Sequence, residues 1–255
     1  MSHITSKKYS LIFFSIAAIM VAMSFKSIPA QTKLIIKFEN YVGEKRLALD
    51  TATYVNDLGQ TFTVTNFKYY ISNIELESYN TKKSFVNQSS YLIRQDDENT
   101  WIVEIDGIPA DSYRSISFMI GVDSLHNCSG AQSGALDPIN GMFWTWNTGY
   151  IFMKLEGKSP ASKQPGHIFE YHIGGYKEPT NFIRSASLTF PKEPMKINPG
   201  KGTTLYIKTD ASKVLKGDNE IDFSKLSSVT DFHNSDKIAD NYVNMFSVIR
   251  ISNEW

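Results

Sequence analysis

The chain is poor in fasteners and in charge. Cys128 is the only cysteine among 255 residues, so no internal disulfide forms, and an exported chain must be held by its core alone. The 26 basic and 26 acidic residues cancel, which leaves no electrostatic case for nucleic acid or an anionic membrane surface. No apolar run reaches the roughly 20 residues that a membrane-spanning helix needs. Internal repeats are absent. So are a nucleophile elbow, a paired-cysteine metal motif, a His-Glu-x-x-His pattern and a glycine-rich phosphate loop. Carboxylates such as Asp123, Asp137 and Glu156 are scattered, and no spacing singles out an acid and base pair. The expectation is that this chain is not an enzyme.

Aromatic residues, by contrast, make up 13% of the chain, which suits a domain that depends on its core. The N-terminus carries an address. Lys7 and Lys8 precede an apolar run over residues 11–25, broken only by Ser15 and Ser24, and Ser27-Ile28-Pro29-Ala30-Gln31 then offers a small residue for cleavage. That pattern is a signal peptide over residues 1–30. No cysteine lies at the junction, so a lipoprotein anchor is not expected. The product is expected to be exported, periplasmic or extracellular, with no membrane attachment after cleavage. Residues 31–255 are enough for a single large domain.

Within that domain the periodicity is mostly two. Leu34-Ile35-Ile36-Lys37-Phe38 opens as a strand, and Asn40 and Gly43 mark a turn. Residues 61–65 and 68–77 follow as a longer extended segment, alternating apolar with charged from Ile74 onward. Further strands are expected at residues 91–93, 101–105, 116–122, 184–190 and 205–208. Strands at this spacing, with no helical period between them, predict an all-β antiparallel sandwich of Greek-key or immunoglobulin-like type. Residues 124–141 are rich in Gly, Ser, Asn and Asp and read as a long loop. Ser235 can cap a short C-terminal helix whose apolar positions Ile238, Ala239, Tyr242, Met245 and Phe246 share one face.

The densest stretch is residues 141–157, Gly-Met-Phe-Trp-Thr-Trp-Asn-Thr-Gly-Tyr-Ile-Phe-Met-Lys-Leu-Glu-Gly. It reads as extended chain, in which Trp144 and Trp146 would share a face. His167 to Ile173 reads as the return strand of a hairpin. Five residues separate His167 from His172, so a regular strand sends them to opposite faces. Glu170 lies on the face of His172 and could hold its far ring nitrogen.

Through the Gly-Met-Phe-Trp-x-Trp-x-x-Gly-Tyr segment the chain resembles the MbnP family of secreted copper-binding proteins. Supporting pieces are Tyr69-Tyr70-Ile71-Ser72-Asn73-Ile74, Phe169-Glu170-Tyr171-His172-Ile173-Gly174 and Ala239-Asp240-Asn241-Tyr242-Val243-Asn244-Met245-Phe246. The resemblance implies copper as the cofactor, bound by a histidine and by a kynurenine made from tryptophan. It also implies a dihaem peroxidase-like (MbnH-like) partner that oxidises the tryptophan. An indole as encoded is a donor only and offers no lone pair, so some such change must precede ligation.

Carried over residue by residue, the resemblance points to His172 as the imidazole ligand and to Trp146 or Trp144 as the oxidised residue, Trp146 being preferred. His126 is the candidate for a second histidine, though its context departs from the family pattern, and His233 is a further candidate. Imidazole nitrogen suits either copper oxidation state. His126 and Cys128 together would form a soft pair, the bland alternative being a buried, inert thiol. An alternative function of another class is a metal-free carbohydrate- or protein-binding module of the cell envelope, in which exposed aromatics such as Trp101 or Tyr150 stack on a ligand.

Overall fold

The structure is a computed structural model that describes residues 32–81, 84–144, 149–190 and 193–253. The expected signal peptide lies outside the described residues. The first half of the chain forms β1 (Lys33–Val42), β2 (Lys45–Arg46), β3 (Tyr54–Val55), β4 (Thr61–Ser78), β5 (Ser84–Arg94), β6 (Ile102–Asp106) and β7 (Asp111–Ile120). After a short helix α1 (Ser124–Cys128) come β8 (Phe143–Trp144), β9 (Gly149–Lys158), β10 (Ile168–Gly174), β11 (Tyr176–Lys177), β12 (Thr180–Asn181), β13 (Arg184–Thr189), β14 (Met195–Ile197) and β15 (Gly202–Asp210). The chain ends in α2 (Ser212–Leu215), β16 (Ser228–Val229), α3 (Ser235–Tyr242) and β17 (Phe246–Ser252).

These strands form the all-β sandwich that the alternation predicts. One sheet runs in the order β17-β15-β1-β2, with β6 also on β1; the larger runs β13-β7-β4-β9-β10-β16, with β14, β3, β5 and β8 on its members. In β1 every second residue from Leu34 to Val42 is buried, the signature of one face on the core and one in water. Between the sheets Phe38 meets Tyr69, Phe118 and Phe246 edge-on at 6.1–6.3 Å. A buried polar lock accompanies them. The Tyr69 hydroxyl lies 2.9 Å from Asn40 Oδ1 and 2.8 Å from Thr209 Oγ1, and Asn40 donates to Gln95 Oε1 at 2.8 Å.

The large sheet also buries part of its other face. Tyr70, Leu92, Val122, Leu136, Met142, Trp144, Tyr150, Ile151 and Phe152 form a second core there, beneath the segment that joins β7 to β9. Asn127 fastens that segment, accepting from Tyr150 N at 2.9 Å. The loop expected over residues 124–141 is thus an ordered cover.

Four local expectations change. β1 pairs in parallel with β15, and β10 with β16, so the sandwich is mixed rather than purely antiparallel. The helix forms, but Asn234 precedes its first residue without a side-chain cap, while Ser235 Oγ donates to Asp231 O at 2.7 Å. Phe246 opens the edge strand β17 and is not on the helix. Finally, Phe143 pairs with Tyr150 and Trp144 with Gly149, antiparallel. The chain therefore reverses between Trp144 and Gly149, and residues 141–157 are not one strand.

Candidate metal centre

Strands β4, β9 and β10 lie side by side, and their outward-facing residues change character along their length. Toward the Gly149 end stand Tyr70, Tyr150 and Phe152 of the second core. Toward the other end stand Asn66 and Lys68 of β4, Lys154 and Glu156 of β9, and Glu170 and His172 of β10. Registers align these polar residues across the sheet: Asn66 and Glu170 flank Glu156, and Lys68 and His172 flank Lys154. Inward neighbours Phe169, Tyr171 and Ile173 are fully buried, which fixes His172 outward.

His172 and Glu156 are diagonal neighbours on adjacent strands, within reach of long side chains. Their contact is 2.6 Å between Nε2 and Glu156 Oε1. An ionised carboxylate only accepts, so the imidazole donates from Nε2. Asn66 Nδ2 donates to the other oxygen, Oε2, at 3.0 Å. The His172 hydrogen bond, aided by that of Asn66 and opposed by burial, draws the Glu156 carboxyl down to about 2. Lys154 Nζ stands 3.9 Å from Glu156 Oε1 and donates to Gly141 O at 2.9 Å. Burial pushes the Lys154 ammonium below its usual range. Glu170, the acceptor expected for His172, instead takes a hydrogen bond from Ser228 Oγ at 3.1 Å.

Trp144 lies at the border of the polar patch and the second core. It is 5% exposed and meets Phe232 edge-on at 5.5 Å. The far edge of its ring comes within 3.0 Å of where a Cβ on Gly174 would stand. Gly174 is two residues beyond His172, about 6.6 Å along the strand. The hairpin thus brings the imidazole and the Trp144 indole to the same stretch of β10. Trp146 lies outside the described residues.

His126 stands apart from His172. His126 Nδ1 is 2.7 Å from Asp123 Oδ2 in α1, and its neighbour Asn127 is bonded at Tyr150. Tyr150 is four residues from Lys154, the partner of His172, which is about 13 Å along β9. His233 is exposed, with its backbone nitrogen on Asp231 Oδ1 at 2.8 Å, although the adjoining Phe232 touches Trp144. His167 precedes β10 at φ +56°, and its Nδ1 is 3.0 Å from Ser162 O. Cys128 is exposed rather than buried, with Sγ 3.6 Å from the Tyr176 hydroxyl. Tyr150 is fully buried and so is not an open stacking platform, while Trp101 is half-buried against the core and donates to Arg94 O at 2.7 Å. Glu156 is the site residue that sequence spacing did not single out.

His126 and His172 each rest one ring nitrogen on a carboxylate, Asp123 and Glu156 respectively. His172 has Nε2 on a carboxylate and Nδ1 without a hydrogen-bond partner among the described residues, the arrangement in which a neutral imidazole ligates a metal. Among the described residues no cluster of three or more His, Cys, Asp or Glu side chains could hold an ion. No helix among them is long and apolar enough to cross a membrane.

Comparison with known proteins agrees with the aromatic motif. No curated protein matches the chain. Among solved structures, MbnP from Methylosinus trichosporium aligns over 78% of this chain and 80% of that one, at 12% identity and a TM-score of 0.48. The profile of the MbnP family matches residues 31–234, a span that contains β1 to β16, the aromatic segment and His172, and the chain belongs to the MbnP family.

Proposed function

We propose that this chain is an exported copper-binding protein, serving acquisition, storage or delivery and performing no turnover of its own. His172 supplies imidazole nitrogen, and Trp144 or Trp146, oxidised to kynurenine, supplies an aryl amine. The observation that carries the reading is the placement of a carboxylate-held imidazole two residues from the glycine over which the Trp144 ring lies. The aryl amine of the kynurenine and His172 Nδ1 would hold the copper, imidazole nitrogen being a donor that suits this metal. The oxidation needs an external enzyme, for which a dihaem peroxidase-like partner is the proposal. Export follows from the expected signal peptide.

Protein purified from the native source tests this. Mass spectrometry is expected to show a mature N-terminus at Gln31, copper retained, and a gain of about 4 Da on the peptide holding Trp144 and Trp146, the change from tryptophan to kynurenine. An unmodified peptide without copper overturns the proposal.

A further inference from the structure

A metal-binding imidazole must be neutral and must present one defined nitrogen, which is set by whatever the other nitrogen bonds. His172 has two nitrogens to choose from. Glu156 Oε1 takes Nε2 at 2.6 Å, and the carboxylate is itself clamped, by Asn66 at 3.0 Å from β4 and by the ammonium of Lys154 at 3.9 Å. Lys154 is in turn held by the Gly141 carbonyl at 2.9 Å, at the root of the aromatic segment. Glu170, on the same strand face as His172, is engaged with Ser228. Among the described residues Glu156 is therefore the carboxylate that fixes this ring.

We propose that Glu156 is a positioning residue: by accepting the Nε2 proton it commits His172 to present Nδ1, and so sets the nitrogen available to copper. The inference rests on the copper reading above and adds the residue that governs it. It also makes the ring's orientation depend on β9 and β4 as well as on its own strand.

The test uses the full mature chain labelled with ¹⁵N. Long-range ¹H–¹⁵N spectra of the metal-free protein read the His172 tautomer directly, and competition against a chromogenic Cu(I) chelator on native-source protein reads affinity. Wild type and E156Q, whose amide oxygen still accepts, are expected to hold the Nε2–H tautomer. E156L is expected to lose that single tautomer and to bind Cu(I) about 10–100-fold more weakly, while E156Q stays within about threefold of wild type. If E156L does not fold, E156S removes the carboxylate with less apolar exposure and is read in the same way. An unchanged tautomer in the folded variant overturns the inference, as does unchanged Cu(I) affinity. If wild type takes no copper while the variant loses its tautomer, the copper reading fails and the control of the ring by Glu156 stands.

Discussion

Replacing Gly174 by alanine probes the junction of the imidazole strand with the aromatic segment. A Cβ at this position would stand 2.3 Å from the Tyr150 carbonyl oxygen and 3.0 Å from two carbons of the Trp144 ring. The first of these is backbone of the neighbouring strand and cannot swing aside as a side-chain tip does. The oxygen must retreat by roughly 1 Å, which strains the β9–β10 ladder beside its bulge. Overpacking of this kind costs about 1–3 kcal/mol, and the reduced freedom of the unfolded chain returns about 0.5 kcal/mol. A net loss of about 1.5 kcal/mol lowers Tm by about 3–6 °C for a domain of this size. Thermal unfolding followed by far-ultraviolet circular dichroism measures the shift, and the near-ultraviolet band reports the altered Trp144 environment. A Tm equal to or above that of wild type would show that the glycine is not sterically required and that Trp144 is not seated on β10.

Other consequences are testable alongside. Tyr69→Phe removes a buried hydroxyl that joins Asn40 to Thr209 and should cost about 1–3 kcal/mol in urea unfolding, whereas a neutral result would mean the lock adds nothing. Phe169→Ala empties the site of a ring stacked on Phe223 at 4.5 Å; the expected loss is about 3–5 kcal/mol, and a loss below that range would mean the core collapses into the space. Hydrogen bonds from Ser224 and Gln60, with Lys225 beside them, hold the Asp222 carboxyl below its ordinary value of 3.8. A group depressed in the folded state stabilises it above the unfolded value, and that contribution is lost as pH falls through the folded one. The stability gap between wild type and Asp222→Ala should thus shrink as pH drops below about 4, and a gap independent of pH in urea titrations would refute it.

Local periodicity carried much of the architecture. Alternation in β1 and β4, the hairpin of β9 with β10 and the apolar face of α3 are all written in short windows of sequence. The parallel pairing of β1 with β15 is not, because it joins segments about 170 residues apart and leaves no mark on either alone. The reversal after Trp144 was hidden by composition, since Trp, Thr, Tyr and Ile favour extended chain on both sides of it. β17 was masked because Met245 and Phe246 continue the helical spacing for one more turn, although the chain has already left the helix.

The site divides in the same way. Outward projection of His172 follows from its own strand's alternation. Its bond to Glu156 does not, because cross-strand diagonals exist only once register is set, and Glu170, two residues away in sequence, was the local choice. His126 was suggested by the family resemblance and by its nearness to Cys128, and His233 by residue type; the fold places His126 at the other end of β9 and leaves His233 exposed.

The proposed copper site depends on one juxtaposition, of the Glu156-held imidazole with an oxidised tryptophan. Anomalous scattering at the copper edge, from crystals of native-source protein, tests it most directly. A copper peak bonded to His172 Nδ1 and to the aryl amine of a residue from the 144–146 segment is the predicted result. Copper bound at His126 or His233 with His172 unengaged would contradict it.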